Sequence, residues 1–165
     1  MIEFLSRLLG IVLLRLGPQD LPAGWLPTGL SVLLYLAALA LSMHWAGQPE
    51  RPATFLLLAV VLPIGLARIV LALRRRPERT EQTLTALFGT AAILSLAALP
   101  LSASDARPPT APLVLLSLFL FFWSFAVDAH IWRHALEVRF VTGLTVAVVL
   151  FAISLLTITA LTGVP

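Results

Sequence analysis

The stretch FVTGLTVAVVLFAISLLTITALT, from Phe140 to Thr162, carries no charged residue from one end to the other. A helix that crosses the hydrocarbon core of a bilayer needs about 20 mostly apolar residues, each adding about 1.5 Å. This stretch meets that length. Because a water-soluble domain needs a polar surface, so long an uncharged run predicts a membrane-spanning helix.

Four other windows of the chain have a similar length and few or no charges. Prolines and charges gather in the short segments between them. Short links favour packing of consecutive helices as neighbours. We therefore predict an all-α integral membrane bundle whose five transmembrane helices form one domain over residues 25–165. The predicted spans are about residues 25–45, 53–73, 82–101, 113–132 and 140–162.

The overall composition supports a membrane protein, with 59% hydrophobic residues, 12% charged residues and a mean hydropathy of +1.00. The chain has no cysteine, which excludes disulfides, thiolate metal sites and a cysteine nucleophile. It also has no lysine, which excludes Schiff-base catalysis. A net charge of +3 on an apolar chain suits anionic lipid headgroups. We predict no nucleic-acid partner, because that would need a basic patch on a soluble surface.

The arginines are distributed unevenly, and positively charged loops are retained on the cytoplasmic side of a membrane. Only Arg51 and Arg107 of the 11 basic residues fall on the opposite side. The sequence predicts a bacterial inner-membrane protein with a cytoplasmic N-terminus and a periplasmic or extracellular C-terminus. Trp25, Trp45 and Trp132 are predicted at headgroup level, where amphipathic rings prefer to lie. The cytoplasmic arginines are Arg7, Arg15, Arg68, Arg74, Arg75, Arg76, Arg79, Arg133 and Arg139.

Residues 1–24 precede the first span, and their apolar run is too short to cross a bilayer. On a helix, Glu3, Ser6 and Arg7 share one arc, and apolar residues cover most of the remainder. This pattern predicts an amphipathic helix that lies in the cytoplasmic interface. The segment Gly17-Pro-Gln-Asp-Leu-Pro22 then ends the helix, because proline fixes φ and glycine tolerates unusual backbone angles.

Five spans, a cytoplasmic N-terminus, short loops and the Gly17–Pro22 lead-in make the layout similar to that of the Yip family of small membrane proteins. The resemblance is architectural and covers the five spans in order. It implies a polytopic helical bundle that works by binding partners or lipid, and it assigns no role to an individual residue.

Arg68 and Asp128 each lie inside an apolar span, where charges are costly and are usually paired or facing water. Arg68 precedes Arg74 by six residues and Asp128 precedes Arg133 by five, so both lie roughly 7 to 9 Å inside the same membrane face. We predict an intramembrane ion pair if the two helices touch. Two alternatives stay open. Arg68 extends alone to the headgroups while Asp128 lies in a hydrated vestibule, or the two residues take part in proton or ion translocation.

His130, His134 and Glu137 are spaced by four and three residues, which places them in one arc if the helix continues. They form a weak metal-site candidate because a fourth ligand is missing. The alternative is an ordinary helix end, where histidine and arginine side chains interact favourably with the helix dipole. We predict neither a bound metal nor a cofactor.

The sequence shows no nucleophile beside a base, no glycine-rich phosphate loop and no HExxH motif. We therefore predict a non-enzymatic scaffold or accessory subunit that binds anionic lipid, a membrane-protein partner or further copies of itself. The alternative is a small oligomeric transporter or proton-coupled channel in which Asp128 titrates and Arg68 tunes it. The predicted contact surface, here called the basic face, consists of Arg74, Arg75, Arg76, Arg79, Arg133 and Arg139.

Overall fold

The computed structural model describes residues 2–102 and 110–162, and over these ranges the chain forms helices and no strand. Arg107, predicted on the side opposite the basic face, lies outside the described residues. Short 3₁₀ turns at Pro18–Asp20 and Pro77–Arg79 precede the second and fourth α-helices. The α-helices are α1 (Ile2–Val12), α2 (Trp25–Ala46), α3 (Pro52–Leu73), α4 (Thr80–Ser102), α5 (Ala111–Leu136) and α6 (Phe140–Thr162).

The five helices α2 to α6 are long and apolar enough to cross a membrane. The chain is therefore an all-α, multi-pass membrane protein, and the predicted spans are confirmed as helices to within a few residues. The largest difference is at the end of α5, which continues one turn beyond Trp132 to Leu136. It ends where Glu137 adopts the left-handed conformation, with φ of 53°.

Helix α4 is the centre of the bundle, since it packs against α1, α2, α3 and α5. Its most extensive contact is with α2, and small residues make this approach close. Thr28 and Thr85 hydroxyls lie 2.9 Å apart across the two helices, and Ser31 and Ala38 are buried there. Consecutive helices pack as predicted from α3 onward, but α2 packs on α4 far more than on α3.

Helices α5 and α6 approach each other closely at Gly143. A Cβ atom at this position would lie 2.9 Å from the backbone nitrogen of Arg133 and would also meet the carbonyl oxygen of Ala129. Only glycine leaves room for two helix backbones at this distance. Helix α6 also packs against α3, which closes the bundle on the side away from α1.

Helix α1 packs against α4 and α5 with one side. Leu8 and Ile11 are fully buried there, together with Val127 and Ile131 of α5. Gly89 of α4 accommodates the Leu8 side chain, which would lie 2.6 Å from a Cβ atom at that position. The helix therefore has a side that faces protein, which the sequence pattern did not reveal. Its place in the cytoplasmic interface stays a prediction.

Candidate functional site

A partly open cavity of about 300 Å³ lies between the helices and is lined by residues of all five long helices. This volume is at the lower end of the range found for small-molecule pockets. Most of the lining is apolar. The polar side chains in it include Tyr35 of α2, Asp128 of α5 and Ser154 of α6.

Asp128 is half-buried and faces this cavity. Among the residues that the structure describes, it has neither a hydrogen-bond partner nor an ion-pair partner. A carboxyl group inside an apolar bundle is costly unless water, a proton or a ligand compensates it. The sequence predicts Asp128 as a functional candidate because it is an acid in an apolar span. The structure shows that it faces the cavity.

The cavity is elongated along α6, which lines it from Ala147 to Ile158. Eleven residues of helix correspond to about 16 Å. Asp128 and Ala147 line the part of the cavity nearer the link between α5 and α6, and Phe55 and Ile158 are near the opposite ends of their helices. The carboxyl group is therefore toward one end of a mostly apolar cavity.

Aromatic rings form much of the wall. Tyr35 and Phe88 lie with their ring centroids 5.5 Å apart, and Trp132 follows Asp128 by one helical turn. Trp132 is only 2% exposed and packs in the core with Phe88 and Ala147, and α5 continues one turn beyond it. Its depth in the membrane stays a prediction.

Pro63 gives the cavity a further polar feature. It lies inside α3 and has no backbone N–H, so the carbonyl oxygen of Ala59 loses its helical donor. Ala59 and Pro63 both line the cavity. A proline inside a helix favours a bend, and this part of α3 faces the cavity.

The predicted ion pair between Arg68 and Asp128 is absent from the part of the chain that the structure describes. Arg68 is on the exposed side of α3 and does not line the cavity. Helix α3 packs mainly against α6 and α4, so the two charged residues face different surroundings. Arg68 and Asp128 are therefore not in contact in this structure, and the hydrated vestibule and the tuning role of Arg68 stay predictions.

His130, His134 and Glu137 do not form a metal site, and no group of three potential ligands exists among residues 2–102 and 110–162. The His130 imidazole donates from Nε2 to the carbonyl oxygen of Leu16 at 2.9 Å, and the rings of His130 and His134 are 4.6 Å apart. Glu137 lies beyond the helix end, so the helical spacing that joined it to the histidines does not apply.

Glu137 instead joins two arginines of the basic face. Arg76 donates to Glu137 Oε2 at 2.5 Å, and Arg79 donates to Oε1. Arg79 also donates to the carbonyl oxygen of His134 at 2.9 Å, near the end of α5. These hydrogen bonds lower the pKa of Glu137 to about 2 and raise the pKa of Arg76. We call this arrangement the Glu137 clamp.

The remaining members of the basic face have different surroundings. Arg74, Arg75 and Arg139 are exposed, and Arg133 is half-buried. No ion pair involves these four within the described ranges. The six predicted arginines thus comprise two that join Glu137 at the surface in the clamp, three exposed side chains and the half-buried Arg133.

Side chains of α4 and α5 donate hydrogen bonds to backbone carbonyl groups between Val12 and Leu21. The sequence pattern did not predict this role for two of them, Trp123 and Gln82. Trp123 donates from Nε1 to the Val12 carbonyl oxygen at 3.0 Å, and Gln82 donates to that of Leu21 at 2.8 Å. The signal available in the sequence is the helix break itself, because carbonyl groups after a helix end need donors. A search for similar proteins among protein-family models, curated proteins and solved structures finds no match to this chain.

Proposed function

We propose that this protein is a small proton-coupled transporter of a bacterial inner membrane, in which Asp128 exchanges protons and contacts the cargo. The observation that carries the proposal is the cavity of about 300 Å³ lined by the Asp128 carboxyl group, which has no partner within the described part of the chain. Acids inside membrane bundles mark ion pathways and proton relays more often than structural positions. No other described side chain combines such a position with open space beside it.

We further propose that the N-terminus is cytoplasmic and the C-terminus periplasmic, as the arginine distribution predicts. In this orientation Asp128 lies at the cytoplasmic end of the cavity, and Phe55 lies toward the periplasm. Helix α1 would lie at the cytoplasmic face. Its exposed apolar side chains, Ile2 and Leu9, support contact with lipid on the side that does not pack against α4 and α5.

The test uses purified protein in proteoliposomes on a solid-supported membrane, with current recorded after a pH jump. Proton binding inside the bundle moves charge even when no cargo is present. We expect a current with the unmodified protein and none with Asp128→Asn. The control is Glu50→Gln, the same change of acid to amide at an exposed loop position. An Asp128→Asn variant that is folded by circular dichroism and gives the unmodified current would refute the proposal.

A second candidate function is a scaffold or accessory subunit, which is the role that the Yip resemblance implies. The specific observation in its favour is the exposure of Arg74, Arg75 and Arg139 beside the Glu137 clamp. Each arginine near an anionic leaflet contributes about 1 kcal/mol to binding. Crosslinking in the membrane, followed by mass spectrometry, tests it. The double variant Arg74→Gln/Arg75→Gln should lose a stoichiometric partner that Arg51→Gln retains.

A further inference from the structure

We infer that the cavity binds an apolar molecule that carries one positive charge, such as a hydrophobic amine or a quaternary ammonium compound. The inference rests on the proposed transport function and names the chemical class of its cargo. Three properties of the cavity support it: its charge, its aromatic wall and its shape.

The charge of the cavity comes from a single acid. Among residues 2–102 and 110–162, Asp128 is the one acidic side chain that lines it, and no arginine or histidine of these ranges lines it. Arg68, the other charge within a span, is on the exposed side of α3. An anionic cargo would be repelled by Asp128, and a neutral apolar cargo would leave the carboxyl group either protonated or without a partner. One positive charge on the cargo compensates the carboxylate.

The wall of the cavity suits a cation as well as an apolar body. Tyr35, Phe88 and Trp132 present aromatic rings to the same space as Asp128. The faces of aromatic rings attract ammonium groups, and the attraction is stronger where water is excluded. Ala59 and Pro63 also line this space, and the missing N–H of Pro63 leaves the Ala59 carbonyl oxygen without its helical donor.

The shape places the charge at one end. Asp128 lies beside Ala147, and the passage continues for about 16 Å along α6 to Ile158 between mostly apolar side chains. A volume of about 300 Å³ is that of roughly ten water molecules in the liquid. One aromatic ring with a small ammonium group fits this space, with its charge at Asp128 and its ring pointing along the passage.

The experiment compares two probes of the same shape. Benzyltrimethylammonium is a permanent cation, and neopentylbenzene has a carbon atom in place of the nitrogen. Binding to the full chain in lipid nanodiscs is followed by tryptophan fluorescence, since Trp132 lines the cavity, and empty nanodiscs give the lipid background. We expect saturable binding of the cation at least about tenfold tighter than that of the neutral probe, because only the cation interacts with the carboxylate.

Variants then locate the binding. Asp128→Asn should abolish the tenfold preference, and Glu50→Gln should preserve it. Ala91→Trp, which fills the cavity, should abolish binding of both probes. If Asp128→Asn fails to fold, Asp128→Glu keeps the charge and should keep the preference. The comparison of the two probes on the unmodified protein needs no variant.

The outcomes separate the two proposals. If both probes bind equally and Ala91→Trp abolishes both, the cavity binds ligand but the inference about charge is wrong. The inference also fails if the preference for the cation survives Asp128→Asn. If neither probe binds the unmodified protein, the inference fails, and the pH-jump current then decides whether the proposed transport function fails with it.

Discussion

Two glycines inside helices, Gly143 of α6 and Gly65 of α3, have opposite surroundings. A Cβ atom at Gly143 would meet the backbone of Ala129 and Arg133, whereas at Gly65 it would meet nothing within 4 Å. Gly143→Ala should therefore force α5 and α6 apart and cost about 1–3 kcal/mol of stability. Gly65→Ala should be neutral or stabilising by up to about 1 kcal/mol, because alanine favours helix.

Thermal unfolding of both variants in detergent, followed by circular dichroism, measures the difference. The melting temperature should fall for Gly143→Ala and stay constant or rise for Gly65→Ala. Equal melting temperatures for the two variants would contradict the close approach of α5 and α6 at Gly143.

At this scale, the sequence identifies which residues are unusual but not what they touch. Asp128 stands out as an acid in an apolar span, and the structure places it at the cavity. Arg68 stands out equally, yet the depth of both residues says nothing about the rotation of each helix. Depth alone therefore predicts an ion pair between Arg68 and Asp128, whereas the structure places the two side chains in different surroundings. Helix rotation depends on contacts with neighbours, which one span does not encode.

Among the elements, the Glu137 clamp joins the turn before α4 to the end of α5. Hydrogen bonds from Arg76 and Arg79 lower the pKa of Glu137 from its ordinary value of 4.5 to about 2. An acid whose pKa is lower in the folded state than in the unfolded state stabilises the fold at pH values above its unfolded-state pKa. The contribution of the clamp should thus be complete above about pH 4.5 and should disappear as the pH falls toward 2.

Glu137→Gln tests this dependence. We expect the variant to unfold at a lower temperature than the unmodified protein at pH 7 and the difference to vanish near pH 2. Glu50→Gln, at an exposed position without an ion pair among the described residues, should match the unmodified protein at every pH. A difference for Glu137→Gln that is constant from pH 7 to pH 2 would contradict the clamp.

The long helices were predictable because a run of apolar residues is a local property of the chain. Their ends were harder to predict. Glu137 takes a left-handed conformation that glycine or asparagine usually adopts, so nothing in the sequence marked the end of α5 there. Because the helix was assumed to continue, Glu137 was grouped with His130 and His134 as a metal-site candidate. Helix α1 was predicted as a helix, but its contacts with Gly89 and Val127 depend on the packing of distant segments.

For the whole molecule, the proposed orientation has a direct test because the chain contains no cysteine. Single cysteines at Gln48, between α2 and α3, and at Glu78, between α3 and α4, would lie on opposite sides of the membrane. In spheroplasts, a membrane-impermeant maleimide should label Gln48→Cys and leave Glu78→Cys unlabelled until the membrane is opened. The reverse pattern would place the N-terminus outside.

The sequence does not predict which helices of the bundle are neighbours. Short links predict that consecutive helices pack as neighbours. The pair α2 and α3 departs most from this prediction, because small residues of α2 pack closely on α4. The cavity also depends on this order, since it needs side chains from all five long helices. A single apolar span gives no sign that it lines open space, so the candidate site could be predicted only as an isolated acid.

The end of α1 and the segment that follows it form hydrogen bonds to residues that are synthesised much later. The carbonyl groups at Val12 and Leu16 accept hydrogen bonds from Trp123 and His130, more than 100 residues further along the chain. During synthesis these carbonyl groups must stay hydrated or at the lipid headgroups until α5 has been inserted. The hydrogen bonds from α5 to this segment therefore form late in biogenesis, whereas its contacts with Gly89 and Gln82 of α4 need only the earlier part of the chain, and a nascent chain that stops before α5 leaves the two carbonyl groups without these donors.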